Sequence, residues 1–231
     1  NGRVGEINRI KDICKKKKLF LIEDAAHAIG SYKNKTHVGN FGIASSFSFS
    51  MPKLITMGQG GAVVTNNSKL ARRLRLYKNF GRKNSGEDIH KYIGYNFKIT
   101  DMQSMLALEQ LKSVSLRIKK KKDIFARYKY NLKNNTKIKF FDIKKDETPW
   151  SVDIYLKKIK EVKKIKKILE KNNIFTRYVY PPLNTQKIYN HFKNLPISNF
   201  YCNRGLWLPS SLDLNNKEID RICALIDKNV N

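Results

Sequence analysis

Residues 46–61 read Ser-Phe-Ser-Phe-Ser-Met-Pro-Lys-Leu-Ile-Thr-Met-Gly-Gln-Gly-Gly, a strand pattern followed by a lysine and a glycine cluster. Apolar and hydroxyl residues alternate over the first five positions, which indicates a strand with two different faces. The glycines allow a tight turn or a close approach of the backbone to a ligand. Lys53 lies among apolar and hydroxyl side chains, where burial would lower the pKa of its amine. Such an amine can hold a carbonyl cofactor as a Schiff base, although most lysines are solvated surface charges.

A second stretch, Leu-Phe-Leu-Ile-Glu-Asp-Ala-Ala-His-Ala-Ile-Gly over residues 19–30, is an apolar run that ends in carboxylates. The pattern is typical of a buried parallel strand with an acid at the C-terminal edge of an α/β sheet, where ligands bind. The alternative for Asp24 is a helix N-cap or a loop acid. This stretch alone slightly favours that alternative.

A series of motifs follows in order along the chain. It consists of Glu23–Ala28, Ser46–Phe49 with Lys53, Gly58–Gly61, Asn79–Arg82, Gly94–Asp101, Tyr180–Leu183 and Leu206–Ser211. The series resembles the sugar aminotransferases of the DegT/DnrJ/EryC1/StrS group, which are fold-type-I enzymes dependent on pyridoxal phosphate. The resemblance runs from about Gly5 to the C-terminus.

The resemblance implies a site built from five residues. Lys53 would hold pyridoxal 5′-phosphate as a Schiff base and later move a proton between the substrate carbon and the cofactor. Asp24 would keep the pyridine nitrogen protonated, so that the ring withdraws electrons. His27 would lie against or beside the ring and help to hold its phenolic oxygen. Ser48 would bind the cofactor phosphate, and Asn96 would reach the phosphate of a partner subunit in a homodimer with a shared active site.

Each assignment has a competing interpretation that involves no chemistry. Lys53 would then be a surface lysine, His27 a satisfied core histidine, Ser48 a strand serine facing solvent and Asn96 a turn asparagine.

Two positions depart from the commonest family pattern. Gln59 stands where glutamate is frequent, and Phe80 stands where histidine is frequent. Both variants are similar to a perosamine-synthase-like subgroup, and they bear on the sugar specificity rather than on the cofactor.

Composition and charge narrow the function classes. The chain has 231 residues, of which 41% are hydrophobic, and this supports an ordinary globular core. No apolar run approaches the ~20 residues of a membrane helix. Three cysteines lie far apart without a CxxC pair or a metal-ligand cluster, which fits reduced thiols in a cytoplasm. The net charge of +28 could attract nucleic acid; however, the lysines are spread without interleaved aromatics, which favours compositional drift.

The domain organisation is predicted from the same patterns. We expect an α/β fold of the fold-type-I aminotransferase class, with part of a large domain containing a mostly parallel sheet and a small α+β C-terminal domain. The division is 1–112 for the large domain, 113–135 for a linking helix and 136–231 for the small domain. Because the chain starts within a helix–strand pattern, we expect a C-terminal piece of a longer protein; the alternative is a short paralogue with half a cofactor site.

Local patterns predict several individual helices and strands. Apolar residues at helical spacing from Met102 to Leu132 predict one long helix, and Thr100 with Gln103 forms a capping-box signature at its start. Alternation over 152–156 predicts a half-buried strand. Further predictions are a helix ended by Gly81, a strand over Ile174–Val179 and a last helix capped by Asn215.

The function that the resemblance implies is transfer of an amino group from glutamate to a nucleotide-linked keto-sugar, for a surface polysaccharide or glycoconjugate. A dehydratase of the same fold replaces the lysine with histidine, so Lys53 argues against it. The remaining alternatives are an inactive fragment or interaction module of the same fold and a basic nucleic-acid-binding protein. A membrane partner is not expected.

Overall fold

The computed structural model describes residues 1–84, 86–189 and 194–230, and these divide into two compact units. The first unit comprises Asn1–Ile118 together with Lys144–Trp150. The second unit comprises Lys119–Ile143 together with Ser151–Asn231. Both units are therefore discontinuous in sequence.

The domain division inferred from the sequence, with boundaries at 112 and 136, stays a prediction. It treats everything after residue 136 as one small domain, whereas residues 144–150 pack with the first unit. This short segment ends with Trp150.

The first unit contains a three-stranded sheet and a separate two-stranded hairpin. The sheet order is β1-β4-β5, and the hairpin pairs β2 with β3. The strands are β1 (Ile22–Asp24), β2 (Tyr32–Lys33), β3 (Thr36–His37), β4 (Ala44–Ser48) and β5 (Gly61–Val64). Strand β1 runs parallel to β4, whereas β4 and β5 are antiparallel. The α/β fold class is confirmed, and the sheet of the described residues is mixed.

Strand β1 is parallel, as its sequence predicts, but it is not buried as a whole. Ile22 is 69% exposed, while Glu23 is buried. Within the described residues β1 pairs with β4 on one side only, which leaves it at the edge of the sheet.

The helices of the first unit differ from the prediction at one place. They are α1 (Ile7–Lys16), α2 (Ser68–Lys78) and α3 (Asp101–Lys112), and α4 (Val114–Asn131) continues into the second unit. The prediction of a single long helix from Met102 to Leu132 is wrong because the helix is interrupted at Ser113. There the Ser113 hydroxyl donates to the carbonyl oxygen of Gln110 at 3.1 Å and accepts from Arg117 Nε at 3.0 Å. The hydroxyl thus serves the backbone and side-chain groups around the break.

Two helix termini agree with their predicted signals. The capping box of Thr100 and Gln103 is present at the start of α3. Helix α2 ends at Lys78, and Gly81 adopts a φ of +73° while its N–H donates to the carbonyl oxygen of Leu76. A residue in this conformation commonly follows a helix, and glycine adopts it without steric cost.

The second unit is a four-stranded antiparallel sheet with its own core. The strand order is β6-β7-β9-β8, and the strands are β6 (Ile138–Phe140), β7 (Val152–Leu156), β8 (Arg177–Tyr178) and β9 (Gly205–Leu208). The helices are α5 (Ile159–Lys171), α6 (Pro196–Cys202) and α7 (Asn216–Asn229). Side chains from α4, the sheet, α5 and α7 form one buried cluster that includes Tyr128, Ile154, Leu169, Leu206 and Ile226.

Three predictions can be compared with this unit. Asn215 caps α7 as predicted, in a capping box with Glu218. The strand predicted over Ile174–Val179 is reduced to the two residues of β8. The half-buried character predicted for β7 is wrong: all five residues are buried, because β7 is a central strand between β6 and β9. Among the described residues, no helix has the length and apolar character needed to span a bilayer.

Candidate active site

Lys53 and Asp24 lie at the carboxyl ends of neighbouring parallel strands. Asp24 is the last residue of β1 and is paired in register with Ser46 of β4. Lys53 follows the end of β4 in a turn, where its N–H donates to the carbonyl oxygen of Ser50 at 3.0 Å. The ends of adjacent parallel strands are where α/β sheets place ligands. The Asp24 side chain is exposed there, and its Oδ1 accepts from the N–H of Ala26 at 3.1 Å.

The amine of Lys53 is in an environment that favours its uncharged form. Burial lowers the pKa of Lys53 below its ordinary value of 10.5, and the negative charge of Asp24 opposes this decrease. A lower pKa increases the fraction of free amine at neutral pH, and the free amine is the nucleophilic form. The pair therefore combines an amine of lowered pKa with a carboxylate that acts on it electrostatically.

His27 lies next to this pair and is held neutral. Burial is the largest cause that lowers the pKa of His27 from 6.5 to about 4, and the positive charge of Lys53 lowers it further while Asp24 opposes the change. At neutral pH the imidazole therefore carries one proton, so one ring nitrogen can donate and the other can accept.

Trp150 is the residue of this site that the sequence interpretation missed. Its indole ring stacks on the imidazole of His27 with centroids 3.8 Å apart and an interplanar angle of 13°. Its Nε1–H donates to the carbonyl oxygen of Pro52 at 2.8 Å, and Lys53 Nζ lies 4.9 Å from the ring centroid. The only signal in the sequence is a Pro-Trp pair after a polar run, and prolines there indicate a loop rather than a site.

Glu147 is one of two residues that fix the segment carrying Trp150. It is buried, with 3% of its surface exposed. Its carboxylate accepts from the N–H of Val4 at 2.8 Å and from the N–H of Lys144 at 2.9 Å. A buried carboxylate stays favourable when backbone donors replace its water. The bond from Val4 ties the segment to the first unit, and the bond from Lys144 closes a turn within the segment.

Thr148 is the second anchor of the segment. Its hydroxyl donates to the carbonyl oxygen of Gly30 at 2.8 Å, and its N–H donates to the hydroxyl of Ser31 at 2.9 Å. Ser31 in turn donates to the carbonyl oxygen of Gly2 at 2.8 Å. A Cβ at Gly2 would lie 1.8 Å from the carbonyl oxygen of Thr148, so only glycine allows this approach. The result is a buried network that delivers Trp150 to the loop of His27.

Ser48 lies at the end of β4, and its hydroxyl oxygen is 3.1 Å from that of Ser50. The two hydroxyls lie at the start of the turn that carries Lys53. Asn96 belongs to a different segment: its backbone pairs with Asn79, and the residue is exposed. The structure therefore brings Asp24, His27 and Lys53 together, places Ser48 beside their turn and leaves Asn96 outside this cluster.

The two variant positions, Gln59 and Phe80, also have defined surroundings. The carbonyl oxygen of Gln59 accepts from Gln103 Nε2 at 3.1 Å. Phe80 adopts a φ of +57°, which is uncommon for a bulky residue. Lys98 Nζ lies 4.0 Å from the centroid of its ring, within the range of a cation–π contact.

Comparisons with known proteins bear on the family of the chain. The chain is 35% identical over 231 residues to the GDP-perosamine synthase of Escherichia coli O157:H7, a match that covers 98% of this chain and 63% of that protein. It is 32% identical over 238 residues to the UDP-4-amino-4,6-dideoxy-N-acetyl-beta-L-altrosamine transaminase of Helicobacter pylori, with coverages of 98% and 63%. The chain thus spans about 63% of the length of these relatives.

Among solved structures, the Helicobacter pylori aminotransferase PseC, which takes part in the biosynthesis of pseudaminic acid, matches with a TM-score of 0.93 at 28% identity. That match covers 99% of this chain and 64% of PseC. The model of the DegT/DnrJ/EryC1/StrS aminotransferase family matches residues 1–227. The resemblance drawn from the motifs is therefore confirmed, and the chain belongs to the DegT/DnrJ/EryC1/StrS aminotransferase family.

Proposed function

We propose that the protein, as a whole, is a pyridoxal-phosphate-dependent aminotransferase that transfers an amino group from glutamate to a nucleotide-linked keto-sugar. The observation that carries the proposal is the half-buried Lys53 amine beside the Asp24 carboxylate, at the ends of parallel strands β1 and β4. The names of the relatives support a sugar nucleotide as substrate, and we propose a surface polysaccharide or glycoconjugate as the destination of the amino sugar. A net charge of +28 would attract such an anionic substrate.

The residues present fit pyridoxal phosphate group by group. The cofactor has an aldehyde, which an uncharged lysine amine can bind, and a pyridine nitrogen, which a carboxylate can pair with. Lys53 offers an amine whose pKa is lowered, and Asp24 offers an exposed carboxylate next to it. The hydroxyls of Ser48 and Ser50 offer donors for a phosphate, and neutral His27 offers a donor for the phenolic oxygen.

Bound pyridoxal phosphate supplies an electron sink for the electron pair left when a proton leaves the substrate carbon. Lys53, once freed, would take up that proton and return it to the adjacent position. Asp24 would hold a proton on the pyridine nitrogen through its negative charge. His27 would orient the ring, and the indole of Trp150 would exclude water from the imidazole face on which it stacks.

We further propose a homodimer in which Asn96 completes the site of the partner. Helix α3 exposes Met102 (83%), Met105 (71%) and Leu108 (60%), an apolar surface of the kind that marks protein interfaces. The rings of Tyr95 and Phe97 flank Asn96 and stack on each other at 5.0 Å on the surface. We place the protein in the cytoplasm, which the free cysteines Cys14, Cys202 and Cys223 support.

The proposal is tested by trapping the cofactor on its lysine. Borohydride reduction of the whole protein after addition of pyridoxal phosphate should leave a covalent adduct on Lys53 in peptide mass spectrometry. Lys121 is an internal control, because its pKa is also lowered, to about 8, although it lies in the second unit. An adduct spread over Lys121 and surface lysines would contradict the assignment, and no adduct at all would favour a binding module of the same fold.

A further inference from the structure

The indole of Trp150 contacts both His27 and the turn that carries Lys53. It stacks on His27, accepts the Lys53 ammonium over its ring and donates to Pro52, the residue before Lys53. We propose that Trp150 is a positioning residue, which fixes the plane of the His27 imidazole and ties the turn of Lys53 to the loop of His27. This inference rests on the proposed function for its consequence in catalysis, but its geometry does not require the cofactor.

The stack restricts the imidazole more than burial alone would. The χ2 torsion of histidine is broad, so an imidazole without a flat neighbour samples many orientations. An indole face at 3.8 Å and 13° leaves the ring plane little freedom and covers one of its faces. The plane of the imidazole is therefore fixed by its stack on Trp150 and not by His27 alone.

The hydrogen bond to Pro52 gives the indole a fixed position relative to the lysine turn. The Nε1–H of Trp150 donates to the carbonyl oxygen of Pro52, which lies one residue before Lys53. Since Glu147 and Thr148 anchor the same segment to the first unit, Trp150 does not depend on the turn for its own position. The indole thus contacts His27 through its face and Pro52 through its edge.

The stacked indole also affects the pKa of His27. The side-chain charges that face the imidazole are those of Lys53 and Asp24, and burial is the largest cause of its low pKa. Removing the indole exposes the stacked face to water and leaves these charges in place. The pKa of His27 should then rise, because water stabilises the imidazolium.

Three variants separate positioning from a general structural role. Trp150→Leu removes both the stack and the N–H donor, while Trp150→Phe retains a flat ring but no donor. Tyr32→Leu is the matched control, since Tyr32 packs edge-on against another histidine of the first unit, His37, at 4.9 Å. Thermal unfolding and circular dichroism verify that each variant is folded.

The first readout is an NMR titration of His27 in the whole protein without cofactor. In Trp150→Leu the pKa should rise by about one unit or more, whereas Trp150→Phe should stay close to the parent and Tyr32→Leu should change nothing at His27. An unchanged His27 pKa in folded Trp150→Leu overturns the inference. If Trp150→Leu does not fold, the test uses Trp150→Phe. A His27 imidazole that titrates like free histidine in this variant, although a flat ring is retained, also overturns the inference.

The second readout is kinetic. In Trp150→Leu, kcat should fall about tenfold or more while KM for the amino donor stays within about threefold, and Trp150→Phe should recover most of kcat. Equal kcat in all three variants contradicts the positioning role. Because the NMR readout needs no activity, an inactive parent protein would count against the proposed function and leave the inference on Trp150 to the titration.

Discussion

Glu23 accepts a hydrogen bond of 2.7 Å from the backbone N–H of Gly39, and its other carboxylate oxygen accepts from Phe41 and Gly42 at 2.7 and 2.8 Å. The side chain is buried directly beside Asp24 in sequence, on the opposite face of β1. It therefore holds the loop that leads into β4, while Asp24 points toward the candidate site. One carboxylate supports the edge of the sheet and the next supplies the chemistry.

Glu23→Gln should lower the free energy of unfolding by about 1–3 kcal/mol. The substitution replaces one carboxylate oxygen with an amide NH2 group, which cannot accept hydrogen bonds from the backbone N–H groups. Urea unfolding of the variant and the parent measures the difference. Glu6→Gln is the control, since Glu6 is an exposed acid at the start of α1 with a 3.7 Å ion pair to Lys33 and should change stability far less. Equal losses in both variants would contradict the role of Glu23.

Asp24→Asn should keep cofactor binding but slow proton abstraction by more than about tenfold, which is about 1.4 kcal/mol of barrier. A neutral amide cannot hold a proton on the pyridine nitrogen, so electron withdrawal by the ring weakens. Single-turnover kinetics with the amino donor measure the step directly. A smaller change would mean that Asp24 is a loop acid after all.

Acid should destabilise the protein through His27. Its pKa is about 4 in the folded state, against 6.5 for the ordinary group. Between these values the unfolded state binds more protons, so the free energy of unfolding should fall as pH decreases from 6.5 to 4. His27→Gln should remove this part of the pH dependence, and His90→Gln, which changes an exposed loop histidine, should not. Urea unfolding across this range would refute the idea if both variants kept the parent slope.

Lys121 should produce a pH dependence of stability in the alkaline range. It donates to the carbonyl oxygen and to the hydroxyl of Ser210, and burial lowers its pKa from 10.5 to about 8. Since the unfolded state binds more protons between these values, the free energy of unfolding should rise with pH from 8 to 10.5 through this group. Lys121→Met should flatten that rise; the exposed Lys119→Met should retain it. The readout is the slope, because loss of the bonds to Ser210 lowers stability at every pH.

Subunits that carry Lys53→Ala and subunits that carry Asn96→Ala should complement each other. Each variant alone should be nearly inactive, since every site of its homodimer lacks one of the two groups. Mixed dimers contain one intact site if Asn96 serves the neighbouring subunit, so activity should recover after subunit exchange. Exchange demonstrated by mass spectrometry without recovery would leave Asn96 as an ordinary turn residue.

The sequence was sufficient for the part of the site that depends on local order. Asp24 ends an apolar strand and Lys53 follows an alternating one, so adjacent parallel pairing alone brings them to one edge. Trp150 could not be predicted in this way. Its place depends on bonds from Glu147 and Thr148 to residues more than half the chain away, and no local pattern encodes them.

The errors in the fold have the same origin. The break at Ser113 lies in a pattern whose apolar spacing continues on both sides, so periodicity gave no warning of it. In β7, Asp153 and Tyr155 suggested a solvent-facing side, yet both are buried in a central strand. Burial of a strand depends on its neighbours in the sheet, which its own sequence does not report.

The return of residues 144–150 to the first unit limits how this gene can be divided. A cut after Ile118 would produce a first half that lacks Glu147, Thr148 and Trp150, and a second half that carries them without their partners. Domain exchange between relatives at that boundary would pair the lysine and histidine of one parent with the tryptophan of the other. Recombination should therefore preserve the site when residues 144–150 come from the same parent as residues 1–118.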